Sequence, residues 1–153
     1  MILLPAIDLM GGEVVRLKRG LASEKTVYSS DPVAFAKRWE DEGGDWLHLV
    51  DLDAAFGGVP RNLGVVEKIC AAVSIPCELG GGMRNAAAMR SAFDTGVARV
   101  ILGTAACQSP GTIGEAGAEF GGDRIAVGID AKDGMVAVKG WTETTRTPAT
   151  DLA

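Results

Sequence analysis

The sequence predicts an α/β fold in which parallel β-strands alternate with α-helices, and three observations support this prediction. Short runs rich in Val, Ile and Leu recur along the chain and are continuously apolar, as in strands that are covered on both faces. Segments with helical periodicity lie between these runs. The stretch around the end of the first run also recurs 122 residues later, with identical residues at several matching positions.

Five runs are predicted to be strands, because each is short, apolar and bounded by glycine or charged residues. In chain order they are ILLPAID, WLHLVDLD, IPCELGGG, RVILGTA and RIAVGID. Strands that are separated by helices pair in parallel through right-handed crossovers, so one parallel sheet is expected.

Four helices are predicted between the strands. The first has the clearest ends: a Ser/Asp cap precedes Pro32, Phe35 and Trp39 share one face, and Gly43 ends the helix. The other three are RNLGVVEKICAAV, RNAAAMRSAFDTG and QSPGTIGEAGAEFGG. The last of these contains more glycine than helices usually tolerate.

The repeat distinguishes between an open doubly wound sheet and a closed eight-stranded barrel. At the offset of 122 residues the identical pairs are Ile7 and Ile129, Asp8 and Asp130, Gly12 and Gly134, and Val14 and Val136. The interval holds four strand–helix units, so a doubled chain would hold eight, as in a (β/α)8 barrel of ~250 residues. We therefore expect residues 1–153 to be a single partial (β/α)8 TIM-barrel domain with five strands and four helices.

The last residues of the sequence predict where this partial barrel stops. Thr147 is placed to cap a helix and Pro148 to begin it, so the chain reaches only the start of a fifth helix. Five parallel strands cannot close a barrel, and the edges and inner face of the sheet stay open. We expect either that the natural chain continues past Ala153 or that another copy covers the gap.

Composition excludes several classes of function. A net charge of −5 without any Lys/Arg run is unsuited to nucleic acid, and no apolar run approaches the ~20 residues that span a bilayer. No export signal is recognisable, so a cytoplasmic protein is expected. Cys70, Cys77 and Cys107 lack CxxC spacing and are expected to be free thiols, and a single histidine leaves too few ligands for a zinc site.

Two carboxylates are the candidate catalytic groups. Ligand sites of parallel α/β proteins lie beyond the carboxyl ends of the strands, where Asp8 ends the first run and Asp130 the fifth. The first and fifth strands of a closed barrel are diametrically opposite, so these side chains could act as general acid and general base on one substrate. The alternative for either residue alone is a cap or a turn. Asp51 and Asp53 are expected to have structural or supporting roles, and His48, which is flanked by Leu47 and Leu49, is expected to make satisfied hydrogen bonds in the core.

Glycines after the third and fourth strands predict a phosphate site. Backbone N–H groups and the helix dipole favour an anion at a glycine-rich helix start, and the alternative is that each glycine only permits a turn. The stretches LGGGMRN and LGTA supply Gly81, Gly82, Gly103 and Thr104.

Two long connections are candidates for lids or binding loops. The first, which follows Leu9, contains the basic cluster RLKRG, in which Arg16 could screen a phosphate; the alternative is a solvated hairpin. The second, KDGMVAVKGWTETT, carries Trp141, which could stack on a flat heterocycle or cover apolar surface.

Six stretches together give the chain a resemblance to a known family. The isomerases of histidine biosynthesis convert phosphoribosylformimino-aminoimidazole carboxamide ribonucleotide (ProFAR) to its ribulosyl form (PRFAR). The stretches that resemble them are LLPAIDLMGGEVVRLKRG, TVYSSDPVAFAKRW, WLHLVDLDAAFGGVPRN, ELGGGMR, RVILGTAA and VGIDAKDGMVAVKGWTE. The resemblance runs the whole length of the chain. It implies a (β/α)8 barrel that performs an Amadori rearrangement of a bisphosphorylated small molecule without metal or cofactor.

The resemblance also implies roles for residues. By the resemblance, Asp8 is the general base at the sugar C2′ and Asp130 is the general acid that assists ring opening. The implied phosphate-binding and loop-closing residues are Gly81, Gly82, Gly103, Thr104, Arg16 and Trp141. A full-length family member is expected to be a monomer, whereas a chain of this length is expected to self-associate.

Three alternatives stay open. The related cyclase that makes imidazole glycerol phosphate shares the barrel and both aspartates, but it has PCLDV where this chain has PAIDL. Isomerases that also serve tryptophan synthesis tend to have LSGGIR where this chain has LGGGMR. The chain could also be a non-catalytic, phosphate-binding partial barrel that needs a complementing chain, because the family's second phosphate site lies in strands beyond the fifth.

Overall fold

The computed structural model describes residues 1–18, 20–138 and 143–153, and its elements follow the predicted alternation of strands and helices. The strands are β1 (Ala6–Met10), β2 (Glu13–Lys18), β3 (Leu21–Ser29), β4 (Leu47–Asp51), β5 (Cys77–Gly80), β6 (Arg99–Leu102), β7 (Ile125–Val127), β8 (Asp130–Lys132), β9 (Met135–Val138) and β10 (Glu143–Pro148). The helices are α1 (Pro32–Asp41), α2 (Leu52–Gly57), α3 (Leu63–Ala72), α4 (Ala86–Asp94), α5 (Thr104–Gln108), α6 (Gly111–Phe120) and α7 (Ala149–Leu152). A 3-10 turn at Gly122–Arg124 precedes β7.

Five of these strands form the parallel sheet that the sequence predicts. β1, β4, β5, β6 and β7 are hydrogen-bonded in that order, each parallel to the next. On the other side of β1, the antiparallel strands β2 and β3 extend the sheet, so its full order is β3-β2-β1-β4-β5-β6-β7. Within the described ranges β3 and β7 are edge strands and the sheet does not close, which confirms the predicted partial barrel.

The apolar core lies on one face of the parallel strands, because side chains alternate between the two faces of a strand. The strand residues that are fully buried on this face are Ile7, Leu9, Leu47, Leu49, Leu79, Val100 and Leu102. The helix residues that pack against them include Ala36, Val66, Ile69, Met89 and Ala116. Residues of the opposite parity lie on the other face, which we call the open face; they are Asp8, His48, Val50, Glu78 and Arg99.

The internal repeat corresponds to two hairpins with the same register. Asp8 of β1 pairs with Val15 of β2, and Asp130 of β8 pairs with Ala137 of β9. Each hairpin has a two-residue turn in which both residues have positive φ, as type I′ turns require. These φ angles are +62° at Gly11, +83° at Gly12, +53° at Asp133 and +80° at Gly134. The second hairpin belongs to a separate three-stranded sheet of order β10-β9-β8.

Side-chain caps confirm two of the predicted helix starts. Asp31 Oδ1 accepts a hydrogen bond from the Ala34 N–H at 3.0 Å, and Asn85 Oδ1 accepts one from the Ala88 N–H at 2.9 Å. Both carboxamide and carboxylate oxygens satisfy N–H groups that have no partner within the helix. Gly43, with φ +94°, follows α1 where the sequence predicts that the helix ends.

The first predicted strand is too long at its start. β1 begins at Ala6 rather than at Ile2, because the preceding residues make no regular ladder. The Leu3 carbonyl instead accepts hydrogen bonds from the N–H groups of Asp45 and Trp46, at 2.9 and 3.2 Å.

Other elements differ from the sequence-based expectation at the ends of the chain and in the connections. The connection after β1 contains the hairpin of β2 and β3, which was the alternative to a lid. α7 begins at Ala149 with Pro148 as its cap, so the prediction of Thr147 as cap was wrong by one residue. The helices α2 and α5 were not predicted, because six and five residues are too few to show a helical period.

The three cysteines are free thiols, as predicted: Cys77 is buried, and Cys70 and Cys107 are partly buried. Within the described part of the chain, no helix is both long and apolar enough to cross a membrane.

The burial of Leu49 predicts a large loss of stability on truncation. Leu49 is 0% exposed at the centre of β4, between β1 and β5, so Leu49→Ala leaves a cavity and is expected to lower the free energy of unfolding by about 2–5 kcal/mol. Leu21→Ala is the matched control, because Leu21 is 48% exposed and should lose less than about 0.5 kcal/mol. Urea unfolding followed by circular dichroism measures both, and equal losses would contradict the described core.

Candidate active site

The candidate site lies on the open face, where the register of the parallel strands aligns residues in two rows: the lower row is mostly polar, and the upper row contains Asp8 beside Val50 and Gly80. The lower row, toward the amino ends of the strands, runs from Ala6 through His48 and Glu78 to Arg99. Asp8 begins the upper row, beside Val50 of β4. Period-two alternation places both rows on the side opposite to the helices.

Asp8 is half-buried between two strands. Its backbone pairs with Val15 of β2 on one side and with Val50 of β4 on the other. Burial raises the pKa of the Asp8 carboxyl above its ordinary value, and the positive charges of Arg16 and His48 oppose this increase only in part. A carboxylate with a raised pKa is a stronger base, so Asp8 is suited to accepting a proton.

The lower row contains a buried carboxylate with two partners. His48 Nδ1 and Glu78 Oε1 are hydrogen-bonded at 2.6 Å, and Arg99 Nε donates to Glu78 Oε2 at 2.8 Å. A second nitrogen of the Arg99 guanidinium also donates to this oxygen, and the guanidinium lies 4.6 Å from the centre of the Trp46 ring. Glu78 is thus a buried charge that is fully paired, as a buried charge must be.

The expectation for His48 needs a correction. Its hydrogen bond is present, but its side chain is 32% exposed and belongs to the open face rather than to the apolar core. Sequence analysis missed Glu78 and Arg99, although a charged residue inside an apolar run of strand type is itself a signal of a paired polar row.

Asp130 occupies a different environment from Asp8. It is the first residue of β8, it is exposed, and it follows the carboxyl end of β7 by three residues. Burial and the nearby charge of Asp130 raise the pKa of the Cys107 thiol, which lies on α5. Both aspartates therefore lie at the carboxyl-end edge of the parallel sheet, and their opposition across a closed barrel stays a prediction.

The glycines of the predicted phosphate site have packing reasons of their own. A Cβ atom on Gly81 would lie 2.3 Å from the Asp51 carbonyl oxygen, and one on Gly82 would lie 2.6 Å from the Ala54 Cβ. Both glycines also have positive φ, +95° and +73°. Only glycine fits where β5 passes this close to the start of α2, so these residues are explained without a ligand.

The rest of the predicted phosphate site lies at the start of α5. Gly103 is the cap residue of this helix and Thr104 is its first residue. The glycine turn after β5 and the start of α5 after the neighbouring strand β6 lie at the same edge of the sheet. The prediction that they bind phosphate is not decided by this geometry.

Arg16 lies on β2, where it pairs with Thr26 of β3. With Lys18, Thr26 and Tyr28 it lines a shallow polar recess on the hairpin. Alternation along β2 sends the Arg16 side chain to the face opposite to Asp8 and Val15, and its positive charge still lowers the pKa of Asp8 in part. Trp141 lies outside the described residues.

Asp51 and Asp53 have the structural roles that the sequence predicts. Asp51 is buried, and its Oδ1 accepts hydrogen bonds from the Ala54 N–H at 3.0 Å and from Asn62 Nδ2 at 2.7 Å. Asp53 Oδ2 accepts hydrogen bonds from the Gly11 N–H at 2.7 Å and from Asn62 Nδ2 at 2.9 Å. Sequence analysis did not single out Asn62. No cluster of three or more His, Cys, Asp or Glu residues that could hold a metal ion occurs in the described ranges.

Comparison with known proteins identifies the family. A family model described as "Histidine biosynthesis protein" matches residues 2–153. Three similar proteins carry the name 1-(5-phosphoribosyl)-5-((5-phosphoribosylamino)methylideneamino)imidazole-4-carboxamide isomerase. Those of Syntrophotalea carbinolica and Jannaschia sp. are each 52% identical over 153 residues, and that of Desulfatibacillum aliphaticivorans is 50% identical. Each match covers 100% of this chain and respectively 63%, 64% and 61% of the relative.

The chain thus spans less than two thirds of the length of these curated relatives. The five parallel strands and the repeated hairpins nevertheless agree with the N-terminal part of a (β/α)8 barrel. Because the family model and the relatives match it over nearly its entire length, the chain belongs to the histidine biosynthesis protein family.

Proposed function

We propose that this chain provides Asp8 and Asp130 to an isomerase that converts ProFAR, an aminoaldose, to the aminoketose PRFAR. The observation that carries the proposal is the half-buried Asp8, whose pKa is raised by burial at the carboxyl end of β1. The similarity to relatives that are named as isomerases of this carboxamide supports it.

The reaction needs two proton transfers at neighbouring atoms. Opening the sugar ring of an aminoaldose requires a proton at the ring oxygen, and forming the enol requires removal of a proton from C2′. Asp8, whose pKa is raised by burial, removes the C2′ proton, and Asp130 delivers the proton to the ring oxygen. Two carboxyl groups in different environments can divide acid and base roles in this way.

The substrate carries phosphate groups, which a chain of net charge −5 must hold by local donors. We assign one phosphate to the backbone around Gly81, Gly82, Gly103 and Thr104, where two neighbouring strands end beside helix starts. Arg16 and Trp141 are assigned to closure over the substrate by the family resemblance alone.

The proposed reaction also determines what we expect for cofactors, cellular compartment and oligomeric state. Acid–base catalysis by carboxyl groups requires neither metal nor cofactor, and a phosphorylated biosynthetic intermediate is handled in the cytoplasm. A monomer is proposed for a family member of full length, and self-association for a chain of this length, because β3 and β7 present unpaired edges within the described residues.

A second function is favoured by one observation: Asp130 is exposed, and the sheet is open on the side where the acid must act. The chain would then be a non-catalytic, phosphate-binding partial barrel, and a complementing chain would complete its fold without producing turnover. Mixing separates the two functions. We expect no turnover of ProFAR by the monomeric 153-residue chain, and turnover when it is mixed with the remaining C-terminal segment of the Syntrophotalea carbinolica relative. Activity of the monomer alone would show that it completes the site by itself, and inactivity of the mixture would favour phosphate binding only.

Removing the base should abolish turnover but not binding. Asp8→Asn keeps the shape of the side chain and loses the proton acceptor. In the complemented enzyme, which is the 153-residue chain mixed with the C-terminal segment, kcat is therefore expected to fall by about 10²–10⁴-fold while KM changes little. Asp45→Asn is the matched control, because Asp45 Oδ2 accepts the Leu3 N–H near the amino ends of β1 and β4 and asparagine keeps an oxygen acceptor there. A steady-state assay of ProFAR conversion measures both variants, and an unchanged kcat for Asp8→Asn would reject Asp8 as the base.

The raised pKa of Asp8 also sets a pH dependence. The base must be ionised, so kcat/KM is expected to rise with pH along an acidic limb that lies above the ordinary carboxyl value of 3.8. Arg16 stabilises the ionised form, so Arg16→Met should raise the pKa of Asp8 and move the limb to higher pH. A pH profile of kcat/KM tests this, and a limb that moves to lower pH in Arg16→Met would contradict the described arrangement.

A further inference from the structure

The turn between β1 and β2 is fastened to the rest of the protein in an unusual way. It consists of Gly11 and Gly12, and the N–H groups of such a hairpin turn ordinarily face water. Here the Gly11 N–H donates to Asp53 Oδ2 at 2.7 Å, and the Gly12 N–H donates to Asn62 Oδ1 at 2.9 Å. Both acceptors come from the segment that follows β4, 42 and 50 residues along the chain.

Asn62 uses all of its side-chain hydrogen-bonding groups in this arrangement. It is 0% exposed, and its Nδ2 donates to Asp51 Oδ1 at 2.7 Å and to Asp53 Oδ2 at 2.9 Å. Its backbone N–H donates to Asp51 Oδ2 at 3.2 Å. Asn62 stands at the cap position of α3, where asparagine normally accepts a bond from the helix, yet its side chain makes no such bond. The side chain therefore serves the Gly11–Gly12 turn rather than its own helix.

The turn lies close to the candidate base. Two residues separate Asp8 from Gly11, and the register of the hairpin pairs Asp8 with Val15, so the side chains of these two residues lie on the same face. A two-residue turn with fixed φ angles makes a stiff hairpin, so the position of its turn determines how closely β2 lies against Asp8.

We propose that Asp51, Asp53 and Asn62, which we call the turn clamp, are positioning residues that hold the β2–β3 hairpin so that β2 stays against Asp8 and keeps its carboxyl half-buried. None of the three touches the reacting atoms; they act through the Gly11–Gly12 turn. The benefit to catalysis rests on the proposed isomerase reaction, whereas the clamp itself can be tested without turnover.

The charges around Asp53 keep the clamp closed at neutral pH. The Gly11 N–H holds the pKa of the Asp53 carboxyl below its ordinary value, and Asn62, Arg61 of the α2–α3 connection and Lys25 of β3 act in the same direction against partial burial. Because the pKa of Asp53 is lowered in the folded protein, its contribution is present above the ordinary carboxyl pKa and is lost as the pH falls through the lowered one.

Two substitutions of Asp53 separate the acceptor from the charge. Asp53→Ala removes both, whereas Asp53→Asn removes the charge and keeps an oxygen for the Gly11 N–H. Asp53 is partly exposed, so both variants are expected to fold, unlike substitutions of the fully buried Asn62. Asp45→Ala is the matched control, because Asp45 Oδ2 also accepts a backbone N–H at 2.7 Å from a residue 42 positions away, Leu3, at a place remote from the turn.

Amide exchange by NMR is the first measurement, made on the 153-residue chain. The Gly11 amide is expected to exchange roughly 5–10-fold faster in Asp53→Ala than in the unaltered chain, as befits one lost hydrogen bond, and close to the unaltered rate in Asp53→Asn and Asp45→Ala. Equal exchange in Asp53→Ala and the unaltered chain would overturn the clamp.

The pKa of Asp8, followed by the ¹³C shift of its carboxyl carbon, is the measurement that a merely structural role would not move. Asp53→Ala and Asp53→Asn remove the same charge, so any difference between them reports how closely β2 lies against Asp8. Burial is the main cause of the raised pKa of Asp8, so we expect a lower pKa in Asp53→Ala than in Asp53→Asn, and identical values would overturn the positioning role. In the complemented enzyme, kcat should fall more in Asp53→Ala than in Asp53→Asn. Absence of turnover in the unaltered enzyme would refute the proposed reaction and leave the two NMR results to decide the clamp.

Discussion

The structure depends on one constraint: each parallel strand has a face covered by helices and a face that is not. The covered face takes the apolar residues of each strand, such as Leu47 and Leu49 of β4. Strand geometry then sends the residues between and beside them, such as His48, to the opposite face. Polar groups can be tolerated there because they meet one another and water. The alternation of side chains that builds the core therefore also assembles the candidate site. Strand geometry alone brings its polar residues to one face; these are Asp8, His48, Glu78 and Arg99.

The free-energy cost of burying a carboxylate is offset differently in the two rows of the open face. Glu78 is buried and shares its charge with His48 and Arg99, so its ionised form is matched by direct hydrogen bonds. Asp8 is half-buried with positive charges nearby, and burial outweighs them in raising its pKa. An ion pair of this kind adds little net stability, but removal of one partner leaves an unmatched charge and costs several kcal/mol, on the order of 3–5. The lower row is thus a fixed support, and the upper row retains a carboxylate that can change its protonation state.

The sequence predicted the parts of the fold that depend on local patterns. The five parallel strands follow from continuous apolar runs, and the starts of α1 and α4 follow from Asp31 and Asn85. The repeat at 122 residues predicted two equivalent positions for the aspartates, and the structure shows that these positions are the same register of two hairpins. The turn residues carry this signal because only certain residues adopt positive φ, so a repeated Gly is a backbone requirement before it is anything else.

The parts that were missed depend on partners that are distant along the chain. Asn62 reads as an ordinary helix cap, and nothing near it in sequence shows that its oxygen serves Gly12, fifty residues away. Glu78 likewise depends on a histidine 30 residues away and an arginine 21 residues away. The boundaries of β1 failed for the related reason that apolar residues 2–4 suit a strand but have no neighbouring strand to pair with in the described ranges. Residues 2–4 have the local preference for a strand, but a strand also needs a hydrogen-bonded neighbour.

The contrast between the two aspartates bears on how the site is completed. Asp8 and Asp130 occupy equivalent positions in two hairpins of the same register. Backbone pairing therefore does not explain why Asp8 is half-buried and Asp130 is exposed. The difference lies in their neighbours: β1 has strands on both sides, whereas β7, which leads to Asp130, is an edge. Strands that paired with β7 would give Asp130 neighbours, as β2 and β4 give them to Asp8. In the proposed isomerase, closure of the barrel would therefore add burial at the second carboxylate as well as contacts to the substrate.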